Sequence, residues 1–330
     1  MRKKLILFII VVLVILMISF NRTKESQKKS STPTKKITIL LDWFPNTNHT
    51  GLYVAAVKGY FQREGLEAEI IQPSEGEVSQ IIASGKADFG ISSQESVTLA
   101  RAKDIPIVSL AAIIQHNTSA FASKKETGII NVADFEGKRY GGWGSPIEEA
   151  TLQALMKSVN KDYSKIKNIT IGSTDFFSTI GNKSDFQWIF YGWDGVEAKR
   201  RGIDLNLIWL KDLDPVLDYY TPVIITNERH LKDQKELTRR FMKAVFDGYE
   251  YTIAHPKEAA EILIKSAPEL NKDLVYKSQE WLTEQYKKDA DKWGIQKKAV
   301  WEGYIKWLYD RKLIEKMINP DNSFTNELLP

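Results

Sequence analysis

The chain has 330 residues, 46 of them basic and 42 acidic, for a net charge of +4. So even a balance argues against a nucleic-acid binder, which carries a basic face. The absence of cysteine excludes a disulfide scaffold, thiolate catalysis and a cysteine-held metal, and four histidines argue against a histidine-rich metal site.

In chain order, Arg2-Lys3-Lys4 and the apolar run 5–20 read as an export segment. As a helix the run spans roughly 24 Å, short of a ~30 Å hydrocarbon core. No small-x-small cleavage site follows it, so a cleaved signal and an uncleaved membrane anchor are both open. Either puts the remaining chain outside the cytoplasmic membrane. Residues 21–36, rich in Ser, Thr and Lys, read as a flexible tether.

Beyond Lys36, apolar runs alternate with helical patterns. Strands are predicted at 37–41, 68–71, 87–91 and 106–114, with helices at 52–58, 78–83 and 96–103 between them. A second cycle runs strand 139–142, helix 147–159, strand 169–171, helix 176–182, then strands 186–191, 205–210 and 223–226. Leu237, Phe241, Val245, Tyr249 and Ile253 step by four and predict a helix with a core-facing stripe. The βαβα order predicts an α/β fold of mostly parallel sheets flanked by helices, in two similar lobes. Chain crossings near Ser123 and Pro222 assign residues 37–122 and 223–330 to lobe 1 and residues 123–222 to lobe 2.

In open parallel sheets ligands sit at the carboxyl ends of the strands. The first such loop, Asp42-Trp43-Phe44-Pro45-Asn46-Thr47-Asn48-His49, packs rings, amides and a carboxylate between a strand and a helix. Those are the groups that orient a small ligand. Three later loops share Ser-x-x-Glu, starting at Ser74, Ser92 and Ser145. The pattern is that of a capping box, in which Ser and Glu satisfy first-turn amides. Glu77 reads as such a cap, whereas Glu95 and Glu148 are open between cap and ligand contact. Glycines around Gly142 and Trp143 let backbone approach a ligand. The stretch from Trp188 to Gly195 ends a strand with Tyr191, Trp193 and Asp194, and Trp188 is expected in the core. His116, after another strand, reads first as structural. Trp43, Asn46 and Asn48 from one lobe, with Trp143 and Asp194 from the other, suit a flat heteroaromatic ligand gripped at an exocyclic amine.

The strings Asp42-Trp43-x-Pro45-Asn46-Thr47-Asn48-His49-Thr50-Gly51, Gly59-Tyr60-Phe61, Gly85-Lys86-Ala87-Asp88-Phe89-Gly90-Ile91-Ser92, Gln115-His116-Asn117-Thr118 and Gly141-Gly142-Trp143-Gly144-Ser145-Pro146 carry a resemblance. They resemble the substrate-binding proteins of ABC importers for thiamine pyrimidine precursors, over residues 36–313. The resemblance implies a two-lobed, periplasmic-binding-protein-like (type II) clamshell. It also implies capture of N-formyl-4-amino-5-aminomethyl-2-methylpyrimidine or a related aminopyrimidine, and delivery to an ABC permease with its ATPase subunits. The expected ligand-binding set is Asp42, Trp43, Asn46, Asn48, His49, Ser92, Gln94, Glu95, His116, Gly142, Trp143, Glu148, Tyr191, Trp193 and Asp194. A monomer outside the cell membrane is expected, with no metal, cofactor or catalytic residue. Members of the family commonly carry a lipid-modified cysteine after the signal, which this chain lacks.

A eukaryotic enzyme of the same superfamily makes the pyrimidine phosphate from pyridoxal phosphate and resembles this chain at Gly90-Ile91-Ser92. Its cofactor-bearing lysine falls at Ser92, its histidine at Ser96, and its cysteine-rich iron motif has no counterpart, which disfavours an enzyme. A binder of riboflavin, a sulfonate or nitrate is the alternative. A sulfonate site favours helix-end amides and a cation, whereas these loops read as acidic and aromatic.

Overall fold

The computed structural model describes residues 34–72, 78–172 and 174–330. The expected export segment, the tether up to residue 33 and the Ser74–Glu77 box lie outside the described residues. None of the described helices is long and apolar enough to cross a membrane. Lys36–Pro330 makes one compact unit.

Among the described residues, ten strands form two five-stranded sheets. β1 (Lys35–Leu40), β2 (Leu66–Ile71), β3 (Phe89–Ser92), β4 (Ile107–Ala112) and β10 (Val223–Asn227) make the first, in the order β2-β1-β3-β10-β4. β5 (Ser119–Lys124), β6 (Arg139–Gly142), β7 (Lys167–Thr170), β8 (Phe186–Phe190) and β9 (Leu205–Trp209) make the second, in the order β7-β6-β8-β5-β9. β1 and β3 pair in parallel, as do β6 with β7 and β8. β3, β4 and β10 are buried along their whole length, so they read as continuous apolar runs rather than alternating ones.

One strand in each sheet runs against its neighbours. β10 is antiparallel to β3 and β4, and β5 is antiparallel to β8 and β9. Both arrive from the other lobe. They do not close a βαβ crossover within one sheet, so nothing obliges them to run parallel.

The chain enters the second sheet at Ser119, paired with Phe190, a few residues before the expected crossing at Ser123. Asn117 sets that point. Its Oδ1 accepts the Ser119 amide at 2.9 Å, its Nδ2 donates to the Leu217 carbonyl at 2.8 Å, and its backbone N–H donates to Asp218 Oδ1 at 2.8 Å. The outward and return crossings are therefore hydrogen-bonded to each other.

In the helix Lys235–Ala254 the stripe Leu237, Phe241, Val245 and Tyr249 is buried in the first-lobe core. The helix Lys298–Asp310 departs from the expected allocation of 223–330 to one lobe. Trp301 packs with Val223 and Ile225 of the first lobe, while Tyr304, Trp307 and Leu308 pack with Phe121, Phe186 and Trp188 of the second. Its apolar stripe is long enough to serve one lobe in its first turn and the other beyond it.

The helix Thr50–Val57 crosses Lys235–Ala254 at two glycines. A Cβ on Gly248 would lie 2.2 Å from the Gly51 carbonyl oxygen, and one on Gly51 would lie 2.4 Å from the Tyr249 ring. Tyr249 also donates its hydroxyl to the Asn48 carbonyl at 2.7 Å, so this contact fixes the loop after β1. We expect Gly248→Ala to lower the unfolding free energy by about 1–3 kcal/mol through overpacking. The readout is a lower urea midpoint at unchanged slope; an unmoved midpoint would show that the helices separate without cost.

Candidate ligand-binding site

The loop after β1 is built by its own polar groups. Asn46 Oδ1 accepts the Asn48 amide at 2.9 Å and its Nδ2 donates to the Phe44 carbonyl at 3.0 Å. His49 is fully buried. Its Nδ1 accepts the Asn46 N–H at 3.3 Å, which leaves the proton on Nε2, 2.8 Å from Asp42 Oδ1. Asn46 and His49 thus hold the loop, and what they present is the Asp42 carboxylate and the Trp43 ring. Trp43 is half-buried and meets Phe44 edge to face at 5.6 Å, while Phe44 is 57% exposed.

After β3 the helix Gln94–Ala102 starts one residue later than the Ser92-x-x-Glu95 spacing predicts. β3 runs through Ser92, so Ser93 is the cap, its Oγ accepting the Ser96 amide at 3.2 Å. The Ser92 hydroxyl faces Ser79 Oγ at 3.4 Å. Gln94 is sealed inside: Oε1 accepts the Tyr220 amide at 2.9 Å and Nε2 donates to the Val300 carbonyl at 3.2 Å. Its amide latches the return crossing. Glu95, released from capping, is buried, and burial pushes its carboxyl up to about 7, opposed first by its own backbone amide and then by the nearby Ser93 and Tyr219 hydroxyls.

In the second lobe the capping box at Ser145, one of the two roles left open for Glu148, forms and opens the helix Pro146–Ser158. Glu148 Oε1 accepts the Tyr140 hydroxyl at 2.6 Å and the Trp143 amide at 3.1 Å, and Oε2 accepts the Gly144 and Ser145 amides at 2.8 and 2.9 Å. Burial raises this carboxyl while those four donors oppose the rise. Glu148 therefore folds the glycine loop rather than facing a ligand. A Cβ on Gly142 would lie 2.6 Å from Glu148 Oε1, so this glycine makes room for the carboxylate. The loop presents Trp143, 37% exposed, edge to face with Trp188 at 5.5 Å.

A π-turn, Tyr191–Gly195, follows β8. Tyr191 packs on Trp209 at 5.1 Å and on Trp281 at 5.0 Å. Trp193 packs against the buried cluster of Ala260, Leu263, Ile264 and Val275, which commits its ring to first-lobe helices. Asp194 is walled by protein yet still reached by solvent. Burial pushes its carboxyl up to about 7, and the carboxylates of Asp175 and Glu197 add to the shift. Neither Glu95 nor Asp194 has a basic partner among the described residues.

The helix Lys272–Gln285 joins the two sets of loops. Thr47 Oγ1 donates to Ser278 Oγ, which donates to the Gly192 carbonyl, and Tyr286 donates to the Thr47 carbonyl. At the crossings, the His116 imidazole meets Asp218 Oδ2 at 2.7 Å and Asp289 Oδ1 at 3.0 Å, and these carboxylates raise its pKa against partial burial. His116 is a pin of the hinge. The local sequence held no signal for Ser278, Trp281 or Asp218, because their partners lie far along the chain.

A carboxyl raised in the folded state holds a proton that the unfolded chain has released, so it withdraws stability as pH rises. For Glu95 the window runs from 4.5 to about 7. We expect Glu95→Gln to gain stability relative to the wild type across that window, in urea midpoints taken at several pH values. A difference that does not vary with pH would show that Glu95 is not proton-linked to folding.

Among known proteins, the family described as NMT1/THI5 like matches residues 46–259. A formylaminopyrimidine-binding protein of Halalkalibacterium halodurans is 28% identical over 296 residues, 88% of this chain and 89% of that protein. The 4-amino-5-hydroxymethyl-2-methylpyrimidine phosphate synthase THI11 of Saccharomyces cerevisiae is 29% identical over 266 residues, 74% of this chain and 75% of that enzyme. In three dimensions the alkanesulfonate-binding protein SsuA from Xanthomonas axonopodis pv. citri matches with a TM-score of 0.69, over 89% of this chain and 99% of that one. At 11% identity that likeness speaks for the fold alone. The chain thus has the two-lobed α/β fold of periplasmic binding proteins and belongs to the NMT1/THI5-like family.

Proposed function

We propose that this protein is a solute-binding protein that captures a thiamine-type aminopyrimidine between its lobes and hands it to an ABC permease. The observation that carries this reading is the pair Glu95 and Asp194, placed just past the ends of β3 and β8, one from each lobe, where burial pushes each carboxyl up to about 7 with no basic partner among the described residues. An aminopyrimidine offers N–H donors beside a basic ring nitrogen. A carboxyl poised near neutrality can share a proton with that nitrogen and gain a charge-assisted hydrogen bond. A sulfonate or nitrate would instead meet like charge.

Trp43 and Trp143 supply half-open ring faces for stacking. Asp42, Asn48, Ser92 and Tyr191 complete the proposed contact set. Asn46, His49, Gln94, His116, Gly142 and Glu148 act by positioning, and Trp193 by packing. Residues 1–20, read as an export segment, support a location outside the cell membrane with the N-terminal stretch as tether.

The two kinds of relative pull in different directions, since one is a binding protein and the other a synthase. Position 92 favours binding. The resemblance puts the enzyme's cofactor lysine there, and a serine hydroxyl cannot form an imine with pyridoxal phosphate.

Isothermal titration of the purified protein with N-formyl-4-amino-5-aminomethyl-2-methylpyrimidine should give saturable binding. Trp43→Ala should weaken it by about 1–3 kcal/mol with the fold intact. No saturable heat with any aminopyrimidine would reject the reading. Product formation from pyridoxal phosphate, followed by mass spectrometry, would replace it with the synthase.

A further inference from the structure

Besides the two chain crossings, the lobes meet on one face of the helix Lys272–Gln285, which packs in the first lobe through Leu282. Val275, Ser278 and Leu282, three and four residues apart, share that face. The π-turn of the second lobe is seated on it. Gly192 comes so close that a Cβ there would lie 3.0 Å from the Leu282 side chain. On either side of this glycine, Tyr191 packs on Trp281 and Trp193 on the cluster that contains Val275. Arg200 Nη1, further along the second lobe, lies 3.9 Å from Asp273 Oδ2 at the start of the same helix.

Ser278 stands at the middle of this face and is fully buried. Its single hydroxyl hydrogen goes to the Gly192 carbonyl, so its oxygen accepts from Thr47 Oγ1. Thr47 is fully buried too, and it is fixed from the first lobe. Its carbonyl takes the Tyr286 hydroxyl and, at 3.0 Å, the Thr50 hydroxyl. Thr47 opens the turn Thr47–His49, and His49 at the other end of that turn donates to Asp42. Gly192 belongs to the π-turn that carries Asp194. Isolated π-turns are rare and recur at functional sites. A path of hydrogen bonds and short turns thus runs from Asp42 in the first lobe, through Ser278, to the turn that bears Asp194 in the second.

We propose that Ser278 is a positioning residue that latches the turn of Asp194 to the loop of Asp42 in the ligand-bound form. This rests on the aminopyrimidine reading and adds how that ligand is retained. The crossings are covalent and stay made when the lobes part. The relay through Ser278 is made of hydrogen bonds alone, and parting the lobes breaks it. Without the Ser278 hydroxyl, the Gly192 carbonyl and the Thr47 hydroxyl lose their partner in a place shut off from water. Once the lobes part, water replaces that partner and the loss is small. The cost therefore falls on the bound form, and it appears as faster release rather than slower capture.

The test is calorimetry and stopped-flow tryptophan fluorescence on the full chain as wild type, Ser278→Ala, Thr47→Val and Thr47→Ser. The probes are N-formyl-4-amino-5-aminomethyl-2-methylpyrimidine and 4-amino-5-hydroxymethyl-2-methylpyrimidine. Ser278→Ala should raise Kd by roughly fivefold or more, carried by the dissociation rate, with the association rate within about twofold of wild type. Thr47→Val should move release in the same direction, and Thr47→Ser, which keeps the hydroxyl, should recover the loss. Carboxyl NMR on saturated Ser278→Ala gives the readout that a merely structural role would not move. The ligand-induced fall of the Asp194 midpoint should shrink, while that of Glu95 should remain. Wild-type release from Ser278→Ala overturns the latch alone, as does an Asp194 midpoint that falls as far as in the wild type. A lowered melting temperature of the free protein with Kd unchanged also overturns it. If Ser278→Ala does not fold, the Thr47 pair decides, and equal release from Thr47→Val and Thr47→Ser overturns the latch. A wild type that binds neither probe overturns the aminopyrimidine reading and the latch with it.

Discussion

Two carboxyls, one in each lobe, are held largely out of water with no counter-charge, and the candidate site is organised around that cost. An ionised carboxylate in such a place is expensive, and its simplest relief is to keep a proton. Glu95 and Asp194 both do so up to about 7. Their positions follow from strand order. β3 and β8 are the central strands of their sheets, and each lies beside the strand that arrives from the other lobe. Their carboxyl ends therefore abut the crossings: Gln94 bonds the backbone of Tyr220, and the Tyr191 amide donates to the Thr118 carbonyl at 3.0 Å. In the proposed reading, a ligand held between the lobes meets an acid from each side.

Around this pair, most other polar groups are spent on structure. Glu148 takes four donors and shapes the glycine loop. His49 is fixed as the tautomer that donates to Asp42. His116 stands between two aspartates where the crossings meet. Ser278 bridges the loop after β1 to the π-turn after β8. These ties stiffen the loops at the crease, so the proposed recognition falls to the few groups left over: the two carboxyls, the Asp42 carboxylate and the open tryptophan faces.

Much of the architecture was legible because it is periodic. The alternation of apolar runs and helical stripes gave the α/β class and the two cycles, and Leu237, Phe241, Val245 and Tyr249 lie in the core as their spacing demands. Strand direction was not legible. β5 and β10 are short apolar runs like their neighbours, and local pattern carries no sign of which way a run points. The cap at Ser93 instead of Ser92 was a matter of one residue of strand, within the usual uncertainty of element ends. Site roles were legible only as residue types. Gln94 sits in the right loop, but whether its amide is free depends on Tyr220 and Val300, more than 100 positions away.

The relatives of this chain include both a binding protein and synthases, so likeness leaves the chemistry to the site. The most direct measurement is the titration of the Glu95 and Asp194 carboxyl carbons by NMR, with and without N-formyl-4-amino-5-aminomethyl-2-methylpyrimidine. An amine-bearing heterocycle held between them must stabilise the carboxylate form, so both midpoints should fall from about 7 to well below it on binding. Midpoints that stay in place on a saturated protein would contradict the account.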